Sequence, residues 1–408
     1  MSGSPRVLVI GGGVAGLSAA AALGRLNLAA TLVEKAPTLG GFASRLACKA
    51  ANECQRCSAC LLEERLGEVA RQGVEVILPA EVVELRRDSG CFRAAIERRA
   101  LPLDPARCTG CGQCAAVCPA GAITQAEGRL FALDATGCRH AQSGSDDGCT
   151  RCQEACPTGA IDLAARPQTT EKEFAAVIAA TGFTPFDARG KPHFGYGALP
   201  DVMTALEVEQ ALRRHDRLVR PSDGRQPARV AFIQCVGSRD REHPYCSRVC
   251  CAYALRLAEA LRARQGAQST LFYIDIQRFG REFAHTLEGL RHTVRLVRMM
   301  PGDVQPGPEG QLLLSYMDGR SHDVVDEEFD LVVLSVGMAP QPANGELASR
   351  LGLALDAAGF LAASAGGVAA HGIFVAGAAT GPMGIARACA EGERAAWEAA
   401  RWVGGSRG

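Results

Sequence analysis

Eighteen cysteines in 408 residues constrain this chain more than any other feature, because they are gathered into tight groups rather than scattered. Repeated C-x-x-C spacings suit metal ligation better than disulfides, since each thiolate must reach one compact centre. A secreted scaffold stapled by disulfides is usually much shorter. Groups of reduced thiolates point instead to a cytoplasmic or anoxic setting. The remaining composition is that of a soluble globular chain long enough for two or three domains. Lysine plus arginine and aspartate plus glutamate balance at 44 each. No charge excess therefore invites nucleic acid or an anionic membrane. A short polar start runs directly into Val7–Ile10, which reads as no signal peptide. No apolar stretch reaches the length of a membrane span.

A nucleotide-binding frame surrounds the cysteines. Arg6–Ile10 reads as an apolar strand, followed by Gly11-Gly12-Gly13-Val14-Ala15-Gly16, an Ala/Leu-rich helix over Leu17–Leu26, and a strand over Ala30–Val33 that ends in Glu34 and Lys35. Such a G-x-G-x-x-G turn brings a dinucleotide pyrophosphate to a helix N-terminus, with Glu34 placed for the adenosine ribose. The expected contacts are Gly11, Gly13, Val14, Ala15, Gly16, Glu34 and Lys35. Phe174–Thr181 reads as a strand entering Gly182, and Gly372–Gly377 as a strand followed by Ala378, a turn through Met383-Gly384, and a helix from Ile385. Both segments resemble those of flavoproteins with two dinucleotide domains. That resemblance makes FAD the expected occupant and adds Thr181, Gly182, Gly377, Ala378, Met383, Gly384 and Ile385 to the contacts. Such proteins often carry an aspartate where this chain has Ala378, so contact is expected from backbone groups and the helix N-terminus at Met383–Ile385. In the second dinucleotide domain, the strand Arg229–Ile233 runs into Gln234-Cys235-Val236-Gly237-Ser238-Arg239. The glycines that cradle phosphates are missing there. The domain's shape is expected to persist, without nicotinamide binding.

The cysteines fall into four groups. Cys108-x2-Cys111-x2-Cys114-x3-Cys118-Pro119 and Cys138-x10-Cys149-x2-Cys152-x3-Cys156-Pro157 are the paired runs of a two-cluster bacterial ferredoxin. In such pairs the fourth cysteine of each run ligates the other cluster. Cys108, Cys111, Cys114 and Cys156 are thus expected around one centre, and Cys138, Cys149, Cys152 and Cys118 around the other. A zinc ribbon is the alternative, which the doubled pattern disfavours. Cys48-x5-Cys54-x2-Cys57-x2-Cys60 offers four more thiolates, for a 4Fe–4S cluster, a structural zinc or partial ligation. Cys235 with Cys246-x3-Cys250-Cys251 is unusual, because adjacent cysteines rarely share a centre. Cys91 and Cys389 are left over and read as small buried hydrophobes. His140 and His243 read as loop histidines. Arg239, Arg248 and Arg256 are cations that would stabilise a reduced flavin if placed beside it.

The segments Gln234–Asp240 (QCVGSRD) and Tyr245–Tyr253 (YCSRVCCAY), with the GGGVAGLSAA start, the ferredoxin-like insert and the closing GIFVAGAATGP, closely resemble the heterodisulfide reductase HdrA family. Its relatives include components of sulfur-oxidising, quinone-interacting and class II benzoyl-CoA reductase complexes. The resemblance implies an α/β, thioredoxin-reductase-like flavoprotein with two dinucleotide domains and an inserted α+β two-cluster ferredoxin domain. Its parts would be an FAD-binding region over 1–100, the insert over 101–165, a second FAD-binding part over 166–205, a degenerate NAD-like domain over 206–345, and a last FAD-binding part over 346–408. It implies FAD and about four 4Fe–4S clusters, one of unusual ligation held near the flavin by Cys235, Cys246, Cys250 and Cys251. It further implies a cytoplasmic oxidoreductase subunit that passes electrons to other redox subunits of a heterodisulfide-reductase-like complex. Ferredoxin is a candidate partner, as is a second copy of the chain; nucleic acid and direct membrane insertion are not expected.

The chain departs from the family in two instructive ways. Longer members carry an extra N-terminal cluster domain and a second ferredoxin domain; these 408 residues contain neither, and have the Cys48–Cys60 group. Bifurcating members carry a lysine in the pattern C-C-x-Y-x-x-K, where this chain has Arg256. Arginine is bulkier and permanently charged. Arg256 is therefore the candidate catalytic residue at the flavin, and its identity favours simple relay over flavin-based electron bifurcation. The competing reading is an NAD(P)H-dependent iron–sulfur flavoprotein resembling the small subunit of glutamate synthase, which requires an intact second glycine turn.

Overall fold

Arg6–Ile10 is buried along most of its length, as a central parallel strand must be. It pairs in parallel with Ala29–Val33 on one side and Ala176–Ala179 on the other. Glu75–Ile77 and Ile373–Val375 extend the sheet, and antiparallel Val368–Ala370 makes it six-stranded. Strands from the beginning, middle and end of the sequence thus build one unit. The computed structural model describes residues 5–48, 54, 56–88, 90–100, 102–104, 107–125, 131–134, 137–142, 148–277, 288–290, 292–319, 321–364 and 367–405.

The helix Val14–Arg25 starts three residues before Leu17, directly on the glycine turn. Gly16 makes that start feasible, because a Cβ there would lie 1.8 Å from the Gly11 carbonyl oxygen. The same helix packs against the C-terminal helix Ile385–Gly405 through fully buried alanines. Gly392 permits the approach, since its Cβ would meet the Ala15 carbonyl oxygen at 2.1 Å.

Phe174–Thr181 is not a single strand. Gln168–Phe174 pairs antiparallel with Cys91–Arg98, whereas Ala176–Ala179 enters the large sheet, so the chain changes sheets at Ala175. A continuous apolar run carries no mark of such a change. Arg98 pairs with Gln168, so the residues between them leave and re-enter the molecule at one place. They form a small lobe with its own core of Leu103, Ile123, Ile161 and Leu163 around Cys114 and Cys152.

A second parallel sheet runs in the order Val202–Thr204, Leu331–Val336, Arg229–Val236, Gln268–Phe272, Val294–Val297. The antiparallel pair Phe183–Pro185 and Met338–Pro340 marks where the chain enters and leaves this unit. Helix Ala205–His215 begins with a capping box, in which the Thr204 hydroxyl accepts from the Glu207 N–H and the Glu207 carboxylate accepts from the Thr204 N–H. Thr204→Ala should cost about 1 kcal/mol in chemical denaturation. Among the described residues no helix is long and apolar enough to cross a membrane.

Candidate functional site

Two helix N-termini, at Val14 and Ile385, face one pocket of about 820 Å³. Its walls include Gly11, Gly13, Val14, Ala15, Glu34, Thr181, Gly182, Ala378, Met383, Gly384 and Ile385. Aligned peptide dipoles make both helix starts attractive to phosphate oxygens. Glu34 is locked at the strand tip, its Oε2 accepting from the Gly12 N–H at 2.5 Å and its Oε1 from the Ala36 N–H at 2.7 Å. A Cβ on Gly13 would meet nothing within 4 Å, so this glycine opens onto ligand space. The Thr181 hydroxyl lines the same pocket, buried and without a hydrogen-bond partner. The cradle therefore fits a dinucleotide, and FAD is the group those residues would hold.

Three expected contacts lie elsewhere. Lys35 is largely exposed and pairs with Glu81 at 3.0 Å. Gly16 sits behind the turn, and Gly377 packs on Ala15, where a Cβ would come within 2.4 Å of the Ala15 Cβ. Those two glycines shape the cradle without lining it. The pocket also includes residues that sequence reasoning missed: Gly40, Gly41, Phe42, Leu46, Phe183 and Gln341. The Gly40-Gly41 pair was a usable signal, since both adopt positive φ, at 110° and 55°. Gln341 had none; its amide spans from the second linker strand to the Phe183 carbonyl at 2.8 Å.

In the inserted lobe the structure gathers the cysteines in two crossed sets. Cys108, Cys111, Cys114 and Cys156 ring one small pocket, walled by Leu103, Phe131 and Ile161. Cys118, Cys138, Cys149 and Cys152 ring a second, walled by Ile123 and Leu133. Burial pushes the Cys114 and Cys152 thiols up, and the charges of their ring neighbours add to it. Burial also opposes ionisation of Cys156, yet hydrogen bonds with the Thr158 hydroxyl and from the Ala160 N–H, at 3.2 Å, bring it below the usual thiol range. Four thiolates in an apolar pocket need a cationic centre to remain ionised, and iron supplies it.

The second glycine turn has become a cysteine site. Cys235 adopts a positive φ of 59° where the strand Arg229–Val236 is irregular, and helix Cys250–Gln265 opens on two buried cysteines. The helix start that would receive nucleotide phosphate therefore presents thiols. Burial pushes Cys235 up to about 12, the charge of Cys251 adding to it. The hydrogen bond with Cys250 holds Cys251 at about 7 and, with burial, pushes Cys250 well up. Arg239 pairs with Asp275 and acts electrostatically on Cys235 and Cys246. Val249, just before the paired cysteines, is 3.9 Å from where a Cβ on Gly384 would sit, so this group adjoins the dinucleotide pocket.

The Cys48–Cys60 group is more open. Cys48, Cys54 and Cys60 are exposed and Cys57 is half-buried; residues 49–53 and 55 between them lie outside the described residues. Arg256 is placed here, with its Nη2 donating to the Arg56 carbonyl at 3.4 Å and the charges of Cys57 and Cys54 acting on its guanidinium. The described residues lining the dinucleotide pocket include neither Arg256, Arg239 nor Arg248. Cys389 is buried as expected of a small hydrophobe, whereas Cys91 is only half-buried, with its thiol donating to the Asp88 carbonyl at 3.0 Å. It is the first residue of the middle strand of a three-stranded sheet, at the hairpin end opposite Asp88. His243 stands between the rings of Phe186 and Tyr245. His140 lies on the short helix Arg139–Gln142 rather than in a loop.

Residues 101–124 match the family model of the 4Fe–4S binding domain, and residues 9–63 that of the NAD(P)-binding Rossmann-like domain. The chain is 36% identical over 420 residues to the second of the CoB–CoM heterodisulfide reductase iron–sulfur A subunits of Methanopyrus kandleri, covering 97% of this chain and 64% of that protein. Over most of its length the chain is therefore a homologue of heterodisulfide reductase A subunits. The A subunit of the H2:CoB–CoM heterodisulfide, ferredoxin reductase of Methanothermobacter thermautotrophicus is 32% identical, with 97% of this chain and 63% of that protein covered. The chain thus spans slightly less than two thirds of the length of the curated HdrA proteins it matches. Among solved structures, thioredoxin reductases share the fold. That of Lactococcus lactis gives a TM-score of 0.56 at 15% identity, covering 98% of this chain and 99% of its own. That of T. acidophilum gives 0.54 at 15% identity, with 98% of each chain covered.

Proposed function

We propose that this chain is a member of the HdrA family and the FAD and 4Fe–4S electron-transfer component of a heterodisulfide-reductase-like oxidoreductase complex, acting in the cytoplasm and exchanging electrons with partner redox subunits. The observation that carries this reading is the replacement of the second phosphate-binding turn by Cys235, Cys250 and Cys251 beside the dinucleotide pocket. Bound FAD supplies exchange between electron pairs and single electrons, and 4Fe–4S clusters supply one-electron storage. The chain's own residues do the rest. Glu34, Gly13 and the two helix starts hold the dinucleotide. The apolar walls of the insert line both cysteine sets and bury Cys114, Cys138 and Cys152. Arg239, fixed by Asp275, offsets negative charge at Cys235 and Cys246. The lobe holding the paired cysteine runs emerges at one point of the fold, which suits it to dock a partner or a ferredoxin. Relay of single electrons is favoured over splitting of pairs, because the position of the bifurcating lysine carries Arg256 and Arg256 lies at another cysteine group. Affinity isolation of the tagged chain from its native host tests the assignment. Co-isolation of other redox subunits, with electron flow restored when the chain is added back to them, is the expected result. A chain isolated alone that turns over unaided would overturn it.

A further inference from the structure

The Cys48–Cys60 group belongs to the first unit of the fold, yet side chains of the second unit hold Ser44 and Ala47, just before it, and Arg56 within it. Arg213 donates to the Ser44 carbonyl at 2.6 Å. Glu209, which is 2% exposed, accepts from the Ala47 N–H at 2.7 Å through Oε1 and from the Tyr253 hydroxyl through Oε2. Arg256 donates to the Arg56 carbonyl at 3.4 Å. Tyr253 and Arg256 are three residues apart on helix Cys250–Gln265 and so share a face. That helix also begins with Cys250 and Cys251, so one rigid rod bears two thiols of one cysteine group and grips the loop of another.

We propose that Arg256 is a positioning residue for the Cys54–Cys57 loop, holding it against the helix that starts at Cys250–Cys251 and placing a fixed positive charge beside that cysteine group. The inference rests on the Cys48–Cys60 group holding a cluster. Arg256 is half-buried; burial pulls its pKa down, and the thiolate charges of Cys57 and Cys54 oppose that pull. A guanidinium is suited to the role because it is planar, weakly hydrated and permanently charged. Each electron added to a thiolate-bound cluster increases its negative charge, so a nearby fixed cation favours the reduced form. The loop is thereby tuned and docked by a residue whose counterpart in bifurcating relatives is a lysine. Arg256 stands outside the described lining of the dinucleotide pocket, and the charges of Cys57 and Cys54 act on it.

The test compares anaerobically purified full-length wild type, Arg256→Gln, Arg256→Lys and Cys57→Ser by iron analysis and by potentiometric titration read by EPR and flavin absorbance. Cys57→Ser should identify the loop cluster by loss of its signal and of about four irons. Arg256→Gln should then shift that signal to more negative potential by roughly a tenfold change in the reduced-to-oxidised ratio, about 59 mV for one electron. Arg256→Lys should retain most of the wild-type potential, and flavin should be unmoved in both. A shift confined to flavin, or an unshifted cluster in Arg256→Gln, overturns the proposal alone. Unchanged iron in Cys57→Ser overturns the cluster reading of the loop and the proposal with it.

Discussion

Cys156→Ser should abolish the same EPR signal as Cys108→Ser, although the two residues stand at opposite ends of the insert. The structure places Cys156 on the pocket of Cys108, Cys111 and Cys114, and Cys118 on the pocket of Cys138, Cys149 and Cys152. Each single substitution should remove about four irons per chain. The double variant Cys108→Ser/Cys156→Ser should lose no more iron than either single one, because both residues serve one centre. Cys108→Ser/Cys118→Ser should lose about twice as much, since it strikes both. If each run instead supplied all four ligands to its own cluster, this order would reverse. Iron and acid-labile sulfide analysis after anaerobic reconstitution distinguishes the two patterns.

Gly13→Val should produce a folded protein without flavin. Gly13 has φ of −74°, which any residue adopts, and a Cβ there would touch no protein atom within 4 Å. The free space is the dinucleotide pocket, so a valine side chain competes with the ligand and leaves the chain unstrained. Gly11 behaves oppositely. Its φ is 107°, and a Cβ would lie 2.4 Å from the Ala180 carbonyl oxygen, so Gly11→Val should fail at folding. The pair therefore separates a binding glycine from a structural one within the same turn. Flavin-to-protein absorbance after purification, with circular dichroism for the fold, is the measurement. Full flavin occupancy in Gly13→Val would contradict the placement of the pocket.

Much of this was legible in the sequence because its chemistry is local. The first glycine turn fixes a strand, a helix start and an acidic residue within thirty positions; the strand and Glu34 lie where spacing placed them, and the helix starts three residues earlier, at Val14. The crossed cysteine sets were likewise readable, because the doubled runs resemble those of two-cluster bacterial ferredoxins, in which the fourth cysteine of each run ligates the other cluster. What stayed hidden depends on distant neighbours. Nothing in Phe174–Thr181 marks the change of sheet at Ala175, which is set by pairing with Cys91–Arg98 on one side and Arg6–Ile10 on the other. Gln341 reaches the pocket only because the linker strands Phe183–Pro185 and Met338–Pro340 pair. Arg256 was expected at the flavin from its position after the paired cysteines. Helical geometry turns it instead onto a loop two hundred residues earlier in the chain. Lys35 and Gly16 show the same limit at short range, since adjacency to a binding turn does not decide which way a side chain faces.

The central claim is a flavin wired to iron–sulfur clusters without a nicotinamide entry. Anaerobic addition of NADH or NADPH to the holoprotein, followed by a low-potential one-electron donor such as dithionite-reduced ferredoxin, tests it most directly by absorbance. Neither nicotinamide should bleach the flavin, whereas the one-electron donor should reduce the flavin and the broad cluster absorbance together. Prompt bleaching by either nicotinamide would contradict the account.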